Sequence, residues 1–138
     1  MYILETEDRK TGLKDGSATA GHNFFVRGAM LKVVGDHESV GVTLTFVATG
    51  SVTKIDKDMI VLNEPSRLII LLPASLEDGE YTITVTTQYK GSSTDLLKTP
   101  RSTSHNIYVG GLPDDGGSTE EPDGEGSDDG DQTENPLG

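Results

Sequence analysis

The sequence predicts an all-β fold: an antiparallel β-sandwich of about 7–8 strands over residues 1–112, followed by a disordered acidic tail over residues 113–138. Three observations predict it. Apolar and polar residues alternate with period two in several short runs, and turn-forming residues separate those runs about every ten positions. The composition changes abruptly after Val109 to Gly, Asp, Glu, Ser and Pro. No ten-residue stretch carries a helical period.

The clearest strand is Tyr81–Tyr89, where Tyr81, Ile83 and Val85 face one side and Thr82, Thr84, Thr86 and Gln88 the other. Val40–Phe46 repeats the pattern, with Val40, Val42, Leu44 and Phe46 interleaved by Gly41, Thr43 and Thr45. Arg67–Leu72 is apolar on both faces and lies between Pro65 and Pro73, which cannot donate to a ladder, so it reads as a short central strand. Further strands are expected at Phe24–Arg27, Leu31–Val34, Val52–Ile55, Met59–Leu62 and His105–Val109, separated by turn material such as Asp56-Lys57-Asp58. In Leu76-Glu77-Asp78-Gly79-Glu80-Tyr81 a glycine precedes a strand-opening tyrosine by two residues. That is the arrangement of a tyrosine corner, whose hydroxyl bonds back to the upstream backbone at one end of an immunoglobulin-like sandwich. The alternative is an ordinary tight turn followed by an aromatic core residue.

About 110 residues suffice for one such core and no more. The chain has no cysteine, so it carries no disulfide, no thiolate nucleophile and no thiolate zinc site, and packing alone must hold the sandwich. The formal charge of −12 divides unevenly: residues 113–138 hold ten acids and no base, and residues 1–112 hold 13 acids against 11 bases, a net of −2. A nearly neutral domain gives no expectation of direct nucleic-acid binding. From residue 113 onward Leu137 is the only large apolar side chain, too little to offset the entropy of ordering. As a flexible coil those 26 residues have an end-to-end distance of roughly 28 Å. The amino terminus lacks the basic region and apolar run of a signal peptide, and no apolar stretch reaches membrane-spanning length. The expectation is a cytoplasmic, monomeric chain without a membrane partner.

No residue is assigned a catalytic, cofactor-binding or metal-binding role. His22, His37 and His105 lack the spacing that would bring two ligands together. Asp36-His37-Glu38-Ser39 gathers an acid, a base and a hydroxyl, and Glu38-Ser39-Val40-Gly41 matches half of a nucleophile elbow. The first glycine and the strand-turn-helix context are missing, so a polar turn entering a strand is the expected reading. Glu125, Ser127, Asp129 and Gly130 fit the opening of an EF-hand-type loop, but its twelfth position is Pro136 and no helices flank it. Leu112-Pro113-Asp114-Asp115-Gly116 departs from a sortase signal at Asp115 and lacks the apolar span and basic end. Gly35 and Gly41 fail P-loop spacing. Lys90, Lys98 and Arg101 fall in the connection before the last strand, where a modest positive loop is one reading and ordinary solvated rim positions are the expected one.

Gly21-His22-Asn23-Phe24-Phe25-Val26-Arg27-Gly28, Leu31-Lys32-Val33-Val34-Gly35-Asp36, Val40-Gly41-Val42, Asn63-Glu64-Pro65-Ser66-Arg67-Leu68-Ile69-Ile70, Gly79-Glu80-Tyr81, Thr86-Thr87-Gln88-Tyr89 and Leu97-Lys98-Thr99-Pro100-Arg101 together resemble one family. It is the Ig-like domain of unknown function that follows an HU-like DNA-binding domain in proteins of certain gut bacteria. The resemblance runs from about residue 10 to residue 109. It implies an Ig-like fold, an accessory role beside a nucleic-acid-binding domain, a nucleoid-associated location, and no ligand or catalytic residue to carry over. The HU-like half is not in this chain, so DNA would be reached only through a domain absent from it.

The leading expectation is therefore a non-catalytic interaction or accessory module without a cofactor, contacting a protein partner through loops or a sheet edge. An alternative is a regulatory module whose acidic tail competes with nucleic acid for a basic surface. A third is surface or carbohydrate adhesion, disfavoured because the chain has no Trp, four Tyr and three Phe. Sequence preceding Met1 would separate an accessory domain of a DNA-binding protein from an independent secreted module.

Overall fold

A computed structural model of the chain describes residues 1–92 and 94–112; the expected acidic tail lies outside the described residues. Among the described residues nine strands form two sheets: β1 (Tyr2–Asp8), β2 (Ser17–Ala18), β3 (Asn23–Ala29), β4 (Gly41–Phe46), β5 (Val52–Ile55), β6 (Ile60–Glu64), β7 (Arg67–Leu71), β8 (Gly79–Thr87) and β9 (Arg101–Val109). One sheet has the order β1-β3-β7-β6 and the other β2-β9-β8-β4-β5. Every pairing is antiparallel except that of β2 with β9. β1 and β2 belong to different sheets yet follow one another in sequence, so the first strand of this sandwich switches sheets along one side.

The alternation read from the sequence decides which residues meet between the sheets. Phe24 and Val26 of β3 and Leu68 and Ile70 of β7 are fully buried, as are Val42 and Leu44 of β4, Ile83 and Val85 of β8 and Ile107 of β9. Burial of each such side chain contributes about 1.5–3 kcal/mol. Ile83 stands two residues after Tyr81, where cross-linked immunoglobulin domains carry their second cysteine. Hydrocarbon packing occupies the place of that bridge.

Tyr81 itself makes the predicted corner. Its hydroxyl donates to the Glu77 carbonyl oxygen at 2.9 Å, and its ring stacks on Phe46 with centroids 4.8 Å apart. Gly79 opens β8 with φ +143°, and a Cβ there would lie 2.7 Å from the Phe46 ring. The corner therefore needs glycine both for its backbone and for the ring packed over it. Burial raises the Tyr81 phenol above its usual range, partly opposed by the bond to Glu77.

The structure departs from the expectations in several places. β1 and the two-residue β2 were not foreseen as strands: a register shift between Ile3 and Glu5 interrupts the alternation of β1, whose buried positions are the polar pair Thr6 and Asp8 beside half-buried Ile3, while Leu4 is 72% exposed. β9 begins at Arg101, four residues earlier than expected, because Ser102, Thr103 and Ser104 pair with Thr86, Val85 and Thr84 despite carrying little apolar character. Leu31–Val34 does not form a strand. It is held mainly by side chains of Asn63 and Thr87, as described below.

Candidate interaction surface

Two connections, 30–40 between β3 and β4 and 88–100 between β8 and β9, come together at one end of the sandwich. Met1 enters at the same end, because Tyr2 pairs with Ala29. Long loops normally contribute little fixed structure, but here several backbone groups are bonded by the side chains of Asn63, Thr87 and Gln88.

Asn63 of β6 imitates a ladder partner. Its Nδ2 donates to the Val33 carbonyl at 2.9 Å and its Oδ1 accepts the Val33 N–H at 2.8 Å. Leu31, fully buried, donates its N–H to the Pro65 carbonyl at 2.7 Å. The Thr87 hydroxyl, with no exposure, accepts from the N–H groups of Val34 and Tyr89, each at 3.1 Å, and donates to the Lys32 carbonyl. A hydroxyl has one donor and two acceptor sites, so Thr87 is saturated.

Gln88 extends the clamp across both loops. Its N–H donates to the Val34 carbonyl at 2.9 Å, its Oε1 accepts the His37 N–H at 3.0 Å, and its Nε2 donates to the Leu97 carbonyl at 2.8 Å. The Leu97 N–H returns to the Gln88 carbonyl at 2.7 Å. The result is a preformed surface built from loops. Thr87 and Gln88 both lie within the alternating segment that marked β8, with Thr87 on the buried face; nothing in spacing shows that it satisfies three backbone groups.

The residues considered for chemistry fall as follows. His37 Nδ1 lies 2.8 Å from Ser39 Oγ and also accepts the Ser39 N–H at 3.1 Å, in an exposed loop. With Val40 donating to the His37 carbonyl at 3.0 Å, the arrangement closes a turn leading into β4. His22 lies between β2 and β3, and His105 lies within β9, so the three histidines are on separate elements. Among the described residues no three His, Asp or Glu side chains gather as a metal site. Of the basic residues in the β8–β9 connection, Lys90 pairs with Asp95 at 3.4 Å, and Arg101 opens β9 and donates to the Tyr89 carbonyl at 3.3 Å. Lys98 remains exposed.

The opposite end carries short turns and shallow clefts. There Asp15 accepts the Ser17 N–H at 2.9 Å, and bonding from the Ser17 hydroxyl and N–H lowers the Asp15 carboxyl below its ordinary value of 3.8. No helix among the described residues is long and apolar enough to cross a membrane.

Two four- and five-stranded sheets, a tyrosine corner and a parallel edge strand define the chain as an Ig-like β-sandwich domain. The chain belongs to the family described as a domain of unknown function (DUF4469) with Ig-like fold, whose model matches residues 2–103. No curated protein matches the chain. Among solved structures it is similar to a chain from Bacteroides vulgatus ATCC 8482 described as a "putative bacterial DNA binding protein", with 67% identity and a TM-score of 0.78. The match covers 82% of this chain and 48% of that one, so this chain spans about half of its relative.

Proposed function

We propose that this chain is a non-catalytic accessory module, the C-terminal part of a longer, HU-like DNA-binding protein whose DNA-contacting part precedes it. The observation that carries the proposal is the clamp joining loops 30–40 and 88–100 beside Met1. A surface already ordered loses little conformational freedom on binding, which is what a docking module requires. The relative's description and its greater length support the DNA-binding context. The domain, residues 1–112, works by contacting protein; its net charge of −2 supplies no phosphate-neutralising surface.

The test is a titration of residues 1–112 and of the longer protein with duplex DNA at low salt. The longer protein should bind with an affinity that falls steeply with salt, and residues 1–112 should not bind. Salt-dependent binding by residues 1–112 alone would overturn the proposal.

A second reading rests on the ten acids and no base of residues 113–138. That segment imitates a phosphate backbone and competes for the basic surface of the DNA-contacting part. Deleting 113–138 from the longer protein should tighten duplex binding, most at low salt. Unchanged affinity on deletion contradicts this reading.

A further inference from the structure

The outward faces of the two sheets differ in kind. Across β4, β8 and β9 one row is Thr43, Thr84 and Ser104, and the next is Thr45, Thr82 and Asn106. Their polar groups bond to one another, Thr84 to Ser104 at 2.8 Å and Thr82 to Asn106 at 3.3 Å. That is the solvated side an antiparallel sheet ordinarily keeps. The other sheet carries a row of Glu7, Phe25, Ile69 and Leu62 across β1, β3, β7 and β6, with Leu71 next along β7. Phe25, Leu62, Ile69 and Leu71 are half-buried, and none is among the side chains packed against the core. A register shift between Ile60 and Leu62 adds Val61 at the end of this row, 58% exposed.

Beside the apolar row runs a charged one of Glu5, Arg27, Arg67 and Glu64. Its bases are paired on the face itself. Arg27 bonds to Glu5 and Glu7, each at 2.9 Å, and its guanidinium lies 5.2 Å over the Phe25 ring. Arg67 stands 3.5 Å from Glu64, and Lys14 reaches Glu5 at 3.7 Å. The bases Arg27, Arg67 and Lys14 thus balance the acids Glu5, Glu7 and Glu64, and the face carries no net charge.

We propose that this face is an interface between two copies of the chain, packed sheet on sheet about a two-fold axis that runs along the Phe25, Ile69 and Leu62 row. In such a contact the same patch supplies both sides, so its charge must tolerate itself. A face whose acids and bases are already paired does so, and it offers a nucleic acid or a strongly charged protein nothing to complement. An axis on the apolar row sets that row against itself and moves the charged row to the margin, the apolar centre and polar rim of protein interfaces. Two copies of one sheet also share the twist that aligned sheet packing requires. Four strands about 4.8 Å apart and about 20 Å long give roughly 800 Å² over both copies before side-chain relief is counted. That falls short of the about 1,200 Å² of stable complexes, so the dimer is weak and reversible, in place of the monomer expected from the sequence. The dimer does not rest on the accessory reading and does not use loops 30–40 and 88–100.

Sedimentation equilibrium of the full chain tests the dimer. The weight-average mass should equal the monomer's at low micromolar concentration and rise toward twice that value as concentration approaches the millimolar range, at low and high salt alike. Val61→Lys with Ile69→Lys places charge on both copies of the row and should weaken association about tenfold or more. The matching change on the other sheet, Thr84→Lys with Ser104→Lys, should leave it unaltered. Val61→Lys alone, at an exposed position, should weaken it about threefold and serves if the double variant does not fold. Unchanged shifts of core amides such as Ile83 and Ile107 verify folding. A chain that stays monomeric throughout, or a dimer weakened by the changes at Thr84 and Ser104 and not by those on the row, would overturn the proposal. So would a monomeric longer protein that shields the Val61 amide from exchange where this chain leaves it open, which assigns the face to the remainder of that protein.

Discussion

The two ends of the sandwich solve the same problem by different means. At the Met1 end, two long loops are joined by Asn63, Thr87 and Gln88, which stand in for absent strand partners. At the other end the turns are short, and order comes from Tyr81 bonding to Glu77, Asp8 gathering the β1–β2 loop, and Asp15 capping Ser17. A long loop made rigid by buried side chains offers a large preformed surface; short turns offer clefts at the place where an acidic segment leaves. The proposed partner contact is accordingly placed at the first end.

Thr87→Val breaks the comparison most severely. Valine keeps the shape but leaves the N–H groups of Val34 and Tyr89 and the Lys32 carbonyl without the hydroxyl, at a cost of about 3 kcal/mol. Denaturant unfolding measures that loss, and the β1–β2 loop should be unaffected. Asn63→Ala removes both bonds to Val33, costs about 2 kcal/mol by the same measurement, and loosens 30–36 selectively. Tyr81→Phe acts on the other end. Loss of one hydrogen bond to Glu77 with the ring stack retained costs about 1 kcal/mol.

The smallest effects are those of pH. The Asp15 carboxyl is lowered in the fold, so its contribution is present above the ordinary value of 3.8 and fades as pH falls below it. The Tyr81 phenol is raised, so its contribution is complete below its ordinary value of 10.0 and is lost as pH rises beyond it. Asp15→Asn should flatten the acid limb of a thermal-stability profile slightly, and Tyr81→Phe should flatten the alkaline limb. The reverse assignment of limbs would contradict the two local environments.

Much of the sandwich is legible in the sequence because a half-buried strand writes its two faces as alternating residue types. β4 and β8 show this plainly, and β7 shows a strand whose outward Ile69 and Leu71 are also half-buried. β1 escapes because a register shift between Ile3 and Glu5 interrupts its alternation, because its fully buried positions are the polar Thr6 and Asp8, and because Leu4 is exposed. Leu31–Val34 misleads in the opposite sense: its apolar residues fit a strand, but its partners include the side chains of Asn63 and Thr87, 30 and 53 residues distant from the backbone groups they hold. The tyrosine corner was readable because a tight turn forces glycine and tyrosine into fixed spacing. The clamp was not, because its geometry arises only when two loops remote in sequence meet.

The central claim is that loops 30–40 and 88–100 form one preordered surface, and amide hydrogen exchange tests it most directly. In the free chain the amides of Val34, His37, Gln88, Tyr89 and Leu97 should exchange slowly, and Thr87→Val should release protection on both loops together. Rapid exchange of these amides in the unaltered chain, or loss confined to one loop in the variant, would contradict the account.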